Sequence, residues 1–492
     1  MSEARYSLPR VEGEAVLVQA DNGTLYLVGQ PPRQIEHHLV NRQISDAVYL
    51  TQRISADASV AHGLAAVIAW EDAISIPVAH NGLLLRDLLY TLSMMHAHLR
   101  HLYFSVLPDY LPMDAIARYG GVQTELLRQR DAVAARPKSA WERHGFTNPF
   151  SGKEVDQLLE GRQGVVSVLS TLQKMMAAIG GKFPMVMSLV PGGVSVNVTE
   201  RLVLRLRDAM AGLMPFLESR PMEDMELITR VYPQLKTMGR GKRDYLAVSS
   251  VGDVAGPDAA LFPHGVALEN RLEAFQSPLV ESVETAFYRV PFRKDASQGI
   301  LLPAPEKPGA YSWIKAPRYN GIPLQTGPVA RLVITFLAGS RSHAAPVVDQ
   351  IEAGLGISLE EFNSVAGRLL SCAGEVAPLA RRTMESISAL QPGQASVSSE
   401  MRGRDSGEGQ GALEGPAGAL RHLVSVNREH VEQYDIISAS TWNGSSRDEK
   451  NRMGPIEDVL NGAGLDLGKP EDGLKASRIV QSFFFSTSDA VQ

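Results

Sequence analysis

Only one cysteine, Cys372, occurs in the 492 residues. An intramolecular disulfide is therefore excluded. Cys372 lies in the apolar stretch Leu369-Leu370-Ser371-Cys372-Ala373, where a thiol reads as a small buried side chain. Long apolar runs are also missing, so no membrane span is expected. The opening Met1-Ser2-Glu3-Ala4-Arg5 has neither the basic nor the apolar region of a secretory signal. A cytoplasmic location is the expectation, unless a folded partner carries an export signal for both. No basic block stands out and the net charge is -6, which gives nucleic acid no footing. What is present, 44% hydrophobic and 21% charged residues, suits a soluble globular protein with a large core.

The apolar pattern divides the chain. Residues 14–30 place β-branched and apolar residues on both sides of Asp21-Asn22-Gly23, a tight-turn signal that predicts a β-hairpin. Leu84, Leu88, Leu92, Met95, Leu99 and Leu102 recur every three or four residues, so 81–107 reads as a long helix stopped by Pro108. Further helices are predicted over 153–178, 199–218 (with Thr199 as a cap), 326–339 and 359–390. Residues 240–325, rich in Gly, Pro and alternating segments, read as sheet and loop. Residues 391–418 are rich in Gly, Ser and Gln and read as a flexible surface insert. No internal repeat is visible. The fold class is α+β: one large domain over 1–492, a bundle of long helices with small peripheral sheets.

Two segments carry the functional argument. One is Arg53-Ile54-Ser55-Ala56-Asp57-Ala58-Ser59-Val60-Ala61-His62. The other is Ser482-Phe483-Phe484-Phe485-Ser486-Thr487-Ser488-Asp489-Ala490-Val491-Gln492. Both resemble the metal-binding segments of [NiFe]-hydrogenase large subunits, R-I-C-G-x-C-x-V-x-H and S-F-D-P-C-x-x-C-A-x-H. The four cysteine positions hold Ser55, Ala58, Ser486 and Asp489. Other landmarks occur in the family's order. They are Arg10-Val11-Glu12-Gly13, Arg33-Gln34-Ile35-Glu36, Pro191-Gly192-Gly193-Val194, Tyr311 to Tyr319 (YSWIKAPRY), Gly327-Pro328-Val329-Ala330-Arg331, and Ser440-Thr441-Trp442-Asn443 with Ser446-Arg447-Asp448. The resemblance runs nearly end to end and implies the hydrogenase large-subunit fold. It does not by itself imply the activity.

The resemblance also implies roles. Arg318 sits where the family has an arginine over the metal pair. Pro317 and Ser440 sit where residues line the cyanide pockets, Asp109 resembles a canopy aspartate, and Glu12 belongs to an outer proton network. His62 is retained. An alternative reading keeps Arg318 and Asp109 as a buried ion pair that the fold needs without the metal. The family's Asp-Pro before the third cysteine is Phe484-Phe485 here, so two rings are expected to fill part of the cavity. A magnesium site is implied at Glu36, the Ile436 carbonyl and the terminal histidine position, which is Gln492. Ser55, Asp57, Ser486 and Asp489 could hold a hard metal ion, or hydrogen-bond one another across a collapsed cavity. Ending at the aligned last position, the chain is expected to skip the family's carboxy-terminal processing.

Nickel and low-valent iron need soft thiolates, so hydrogen chemistry is not expected. Two functions remain. One is a non-catalytic scaffold or accessory protein in hydrogenase maturation, of the kind called HupK or HoxV. The other is a structural large subunit of a redox complex. The expected partners are maturation proteins or an iron-sulfur small subunit. Docking is expected through an apolar face around 53–62. No cofactor is expected, magnesium aside.

Overall fold

The computed structural model describes residues 4–111, 113–134, 149–248, 250, 260–273, 279–282, 284–289, 301–400 and 403–491. Long helices form its centre, and small antiparallel sheets lie around them. We name the principal helices α1 (Ser59–Ile74), α2 (His80–Arg100), α3 (Gly152–Gly180), α4 (Glu200–Val231), α5 (Pro328–Leu337), α6 (Val365–Gly374), α7 (Val376–Ala389) and α8 (Pro470–Ser482). The Leu84-to-Leu99 stripe puts α2 in the middle, with nearly every residue buried. Past Arg100 the helix widens into a π turn, His101–Val106, and closes in a 3-10 turn containing Pro108. A Ser151 capping box starts α3 and Thr199 caps α4.

Two predicted boundaries move. Helix α4 runs to Val231, past Pro215 and Pro221, because Leu217, Met222, Met225 and Ile228 continue its buried stripe. The single helix expected over 359–390 is three pieces: a 3-10 turn Leu359–Glu361, then α6, then α7.

The hairpin over 14–30 is present as β2 (Ala15–Gln19) and β3 (Leu25–Gly29), with β1 (Ala4–Ser7) pairing along β2. Farther on, β4 (Ala316–Tyr319) carries Pro317 and Arg318. The insert expected over 391–418 needs correction. Residues 406–415 form β5 (Ser406–Gly415), which continues antiparallel into β6 (Gly418–Asn427) and β7 (His430–Ile437). This meander lies directly on α1. Gly407, Gly409 and Gly411 face the backbone of Ala73, Ala69 and Ala65, so close that an added Cβ on Gly409 would sit 2.2 Å from the Ala69 carbonyl. Alternate glycines on a strand thus meet alanines four apart on a helix. Gly409→Ala is expected to lower stability by about 1–3 kcal/mol through overpacking, read from the urea midpoint of unfolding.

Retained sequence landmarks hold this frame together. The Glu71–Arg86 pair, at 2.8 and 2.5 Å, takes Gly192 N–H on the glutamate. Its guanidinium donates to the carbonyls of Val190 and Gly193, which fixes the Pro191-Gly192-Gly193-Val194 turn. Arg331, fully buried, pairs with Glu375 and with Glu414.

Candidate functional site

The two motif segments meet. Ser55 and Ala58 come from the turn before α1; Ser486 and Asp489 come from the segment after α8. Together with Glu12, Asp57, Ser440, Phe484, Phe485, Arg10, Arg100 and His101 they line one residual cavity of about 30 Å³. That is room for only about one or two waters.

Glu12 closes the gap between the segments. Ser55 Oγ donates to Glu12 Oε2 at 2.6 Å, and Ser486 Oγ donates to the same oxygen at 3.0 Å. The Ala56 N–H donates to Oε1 at 2.6 Å. The Glu12 carbonyl accepts from Thr487 N–H at 2.9 Å. Each serine also caps its own turn: Ala58 N–H donates to Ser55 Oγ, and Asp489 N–H to Ser486 Oγ at 3.1 Å. A hydroxyl can accept and donate at once, so serine serves both its turn and Glu12.

Asp489 faces the other way. His62 Nε2 lies 2.9 Å from Asp489 Oδ1, His62 Nδ1 lies 3.0 Å from His422 Nε2, and His422 Nδ1 lies 2.8 Å from the Tyr434 hydroxyl. Burial works to raise the Asp489 carboxyl, but the hydrogen bond and charge of His62, with Ser440 and Ser438, outweigh it and hold the group below its usual range. Burial, reinforced by His62, keeps His422 neutral, and burial raises the Tyr434 phenol. The row closes with donation running in either direction between Tyr434 and His62. In both arrangements His62 Nε2–H donates to the Asp489 carboxylate.

Phe484 and Phe485 are both buried, at 6% and 4% exposure. The Phe484 ring stacks on His101 at 3.9 Å and meets His98 edge-on at 5.8 Å. Burial drives His101 down to about 3, so it is neutral and donates Nε2–H to the Gln481 carbonyl at 2.8 Å. Phe485 packs where a side chain on Gly444 would go.

Several expected placements are different. Arg318 and Asp109 do not pair. Arg318 donates to Asp448 at 2.8 Å, to Ser445 Oγ, and to the carbonyls of Pro317, Ser446 and Arg452. It therefore ties β4 to the Ser446-Arg447-Asp448 landmark, and neither it nor Pro317 lines the cavity. Asp109 pairs with Arg10 and accepts from Ser477 Oγ at 2.9 Å. Asp57 lines the cavity but is clamped by Arg100 at 2.6 and 2.5 Å. Its carboxylate is thereby matched to a guanidinium, not to Ser486 or Asp489. Among the described residues no group of three or more His, Cys, Asp or Glu is arranged to hold a metal ion.

Arg100, His101, His422 and Tyr434 were not picked out by sequence reasoning. Polar residues interrupting the apolar α2 stripe, His98, Arg100 and His101, were the available signal. The surface around 53–62 also differs from expectation. Arg53 and Ala56 are its exposed residues, because Ile54, Val60 and Ala61 turn inward.

The donors present do not fit a nickel-iron pair. They are two hydroxyls already shared with Glu12, an alanine, and a carboxylate held by His62, where soft thiolates are needed. The implied magnesium ligands fare no better. Glu36 Oε1 and the Ile436 carbonyl both lie beside the Lys315 ammonium, at 3.2 and 3.3 Å. Burial pushes the Glu36 carboxyl up to about 7 against the opposing pull of Lys315. Gln492 lies outside the described residues.

Comparison with known proteins gives one consistent result. The family model for nickel-dependent hydrogenase matches residues 33–143 and 164–487. The chain is similar to the periplasmic [NiFeSe] hydrogenase large subunit of Desulfomicrobium baculatum, 28% identical over 497 residues, covering 97% of this chain and 92% of that protein. It is similar to the hydrogenase-2 large chain of Escherichia coli, 25% identical over 541 residues, covering 96% and 94%. Of solved structures, the Dm. baculatum [NiFeSe]-hydrogenase superposes with a TM-score of 0.84 at 25% identity over the full length of both chains. No helix among the described residues is long and apolar enough to cross a membrane.

Proposed function

Because the chain belongs to the nickel-dependent hydrogenase large-subunit family, we propose that this member carries out no hydrogen chemistry and acts as a scaffold or accessory protein in hydrogenase maturation. The observation that carries the reading is the Glu12 carboxylate joining Ser55 to Ser486. It occupies the convergence of the two motif segments with protein hydrogen bonds, while the rest of the fold keeps the dimensions of its relatives. Heterolytic hydrogen cleavage uses a metal as Lewis acid, and the groups here are matched to one another. What remains for the chain to offer is its surface, which presents a large-subunit shape to maturation proteins. A cytoplasmic site of action is part of the same proposal. The Desulfomicrobium relative is named as periplasmic, so cell fractionation checks it.

One feature favours the second reading, a structural large subunit beside an iron-sulfur small subunit. The loop 181–187 carries the half-buried Phe183, Pro184 and Met185 and the half-exposed Met187. It lies against the first motif, with Ser59 Oγ donating to the Pro184 carbonyl at 3.0 Å. Permanent interfaces are large and apolar, and this loop supplies apolar surface that segment 53–62 lacks. Affinity purification of the tagged full chain separates the readings. Maturation proteins recovered in sub-stoichiometric amounts support the scaffold. An iron-sulfur protein recovered one to one supports the structural subunit. A monomer with neither partner contradicts both.

A further inference from the structure

Behind the His62–His422–Tyr434 chain, strand β7 continues into Asp435 and Ile436, and these two residues help build a second polar pocket. Its walls come from two places in the sequence: Glu36 from the short helix Ile35–Leu39, and the end of β7. Lys315, 3% exposed, enters it from the residue just before β4. The Lys315 Nζ lies 3.2 Å from Glu36 Oε1, 3.3 Å from the Ile436 carbonyl and 3.5 Å from Asp435 Oδ1. The Ile436 N–H donates to the same Glu36 oxygen at 2.7 Å, which fixes that carboxylate in place.

We propose that the Lys315 ammonium is the resident cation of this oxygen cage, and that the cage takes up no divalent metal ion beside it. The inference is independent of what fills the cavity between the two motif segments. Three arguments support it. A buried ammonium must be paired and hydrogen-bonded, and these three oxygens do both. Among the described residues, the two carboxylates Glu36 and Asp435 face two cations, Lys315 and Arg421, whose Nη2 lies 3.9 Å from Asp435 Oδ2. A divalent ion added beside Lys315 would set further positive charge against a buried ammonium. Finally, magnesium requires near-octahedral oxygen ligands at about 2.0–2.1 Å. Here Glu36 Oε1 is shared between an amide and an ammonium, and the Ile436 carbonyl is bonded to the same ammonium. A covalently attached cation cannot be lost, so the pocket stays intact without any metal supply.

Thermal unfolding of the full chain tests this. The Tm of the wild type is expected to be the same in excess EDTA and in excess Mg²⁺. Lys315→Met is expected to lower Tm by several degrees, because it leaves the Glu36 carboxylate and the Ile436 carbonyl without their cation. The drop is expected whether or not added Mg²⁺ then raises Tm again. A wild-type Tm that falls with EDTA, returns with Mg²⁺ and loses that response on Glu36→Gln overturns the proposal. So does a Lys315→Met protein with the wild-type Tm. Should Lys315→Met fail to fold, the EDTA and Mg²⁺ series on the wild type and on Glu36→Gln decides alone.

Discussion

Arg331→Met is expected to destabilise the protein by about 3–5 kcal/mol, the usual consequence of removing one partner from a buried ion pair. Arg331 is fully buried and serves two carboxylates at once. It donates to Glu375 through Nε and Nη2, both at 2.7 Å, and to Glu414 through Nη1 at 2.6 Å. It also donates to the carbonyls of Gly415 and Pro416, the turn that links β5 to β6. Burial already pushes the Glu414 carboxyl up to about 7 in spite of Arg331. Without the guanidinium, Glu375 and Glu414 face each other uncompensated, and His98 alone remains on Glu375, at 2.7 Å. In the variant, Glu414 is driven further above its unfolded value. A group raised in the folded state contributes stability at low pH and loses it as pH rises through the folded value. The deficit relative to wild type should therefore widen as pH is raised from about 5 toward 8. Urea unfolding of both proteins across that range measures it. A deficit below about 1 kcal/mol at neutral pH, or one that shrinks as pH rises, would remove the argument.

The second large effect is expected at the cavity. Phe484→Ala should cost about 3–5 kcal/mol, the range for truncating a buried phenylalanine. The ring stacks on His101, abuts His98 and forms a wall of the cavity between the motif segments. Its backbone sits at φ 57, a left-handed conformation that favours glycine over any side chain. Phe484→Gly should then be less destabilising than Phe484→Ala, although it removes one atom more. That order reads the left-handed backbone, while the loss of either variant relative to wild type reads the ring. The widened cavity also admits water to His101, so its imidazole should move up from about 3 toward the ordinary histidine range. Histidine NMR titration reads that movement. Equal stability of Phe484→Ala and wild type would show that the ring fills nothing the fold needs.

The hairpin at Asp21-Asn22-Gly23, the long α2 stripe and the meeting of the two motif segments were legible because each rests on local pattern or on an ordered set of landmarks. The strand β5 was not. Its alternation is carried by Gly407, Gly409 and Gly411, which have no side chain to show a period of two, so the composition imitated a flexible insert. The signal lay in pairing it with Ala65, Ala69 and Ala73, which belong to a helix more than three hundred residues earlier. Helix α4 outran its predicted end because tertiary burial of Met222, Met225 and Ile228 overrode two prolines. The Arg318–Asp109 pairing failed for a related reason. Which carboxylate an arginine meets is decided by the fold: Asp448 reaches Arg318 across β4, and Arg10 reaches Asp109 from the opening segment. The roles of Glu12 and Asp489 were only half visible. Their positions followed from the motifs. Glu12 as the acceptor for both serines, and Asp489 as the end of a histidine chain, are set by the fold, which brings together residues far apart in the sequence.

The central claim is that protein groups, matched to one another, have taken over the place where relatives of this chain carry metal chemistry. The most direct measurement is the metal content of the full chain, purified from cells that produce an active nickel-dependent hydrogenase, with infrared spectra taken on the same sample. The account predicts no stoichiometric nickel or iron, and no absorption from metal-bound cyanide or carbon monoxide. One nickel per chain, or such bands in the infrared, would contradict it.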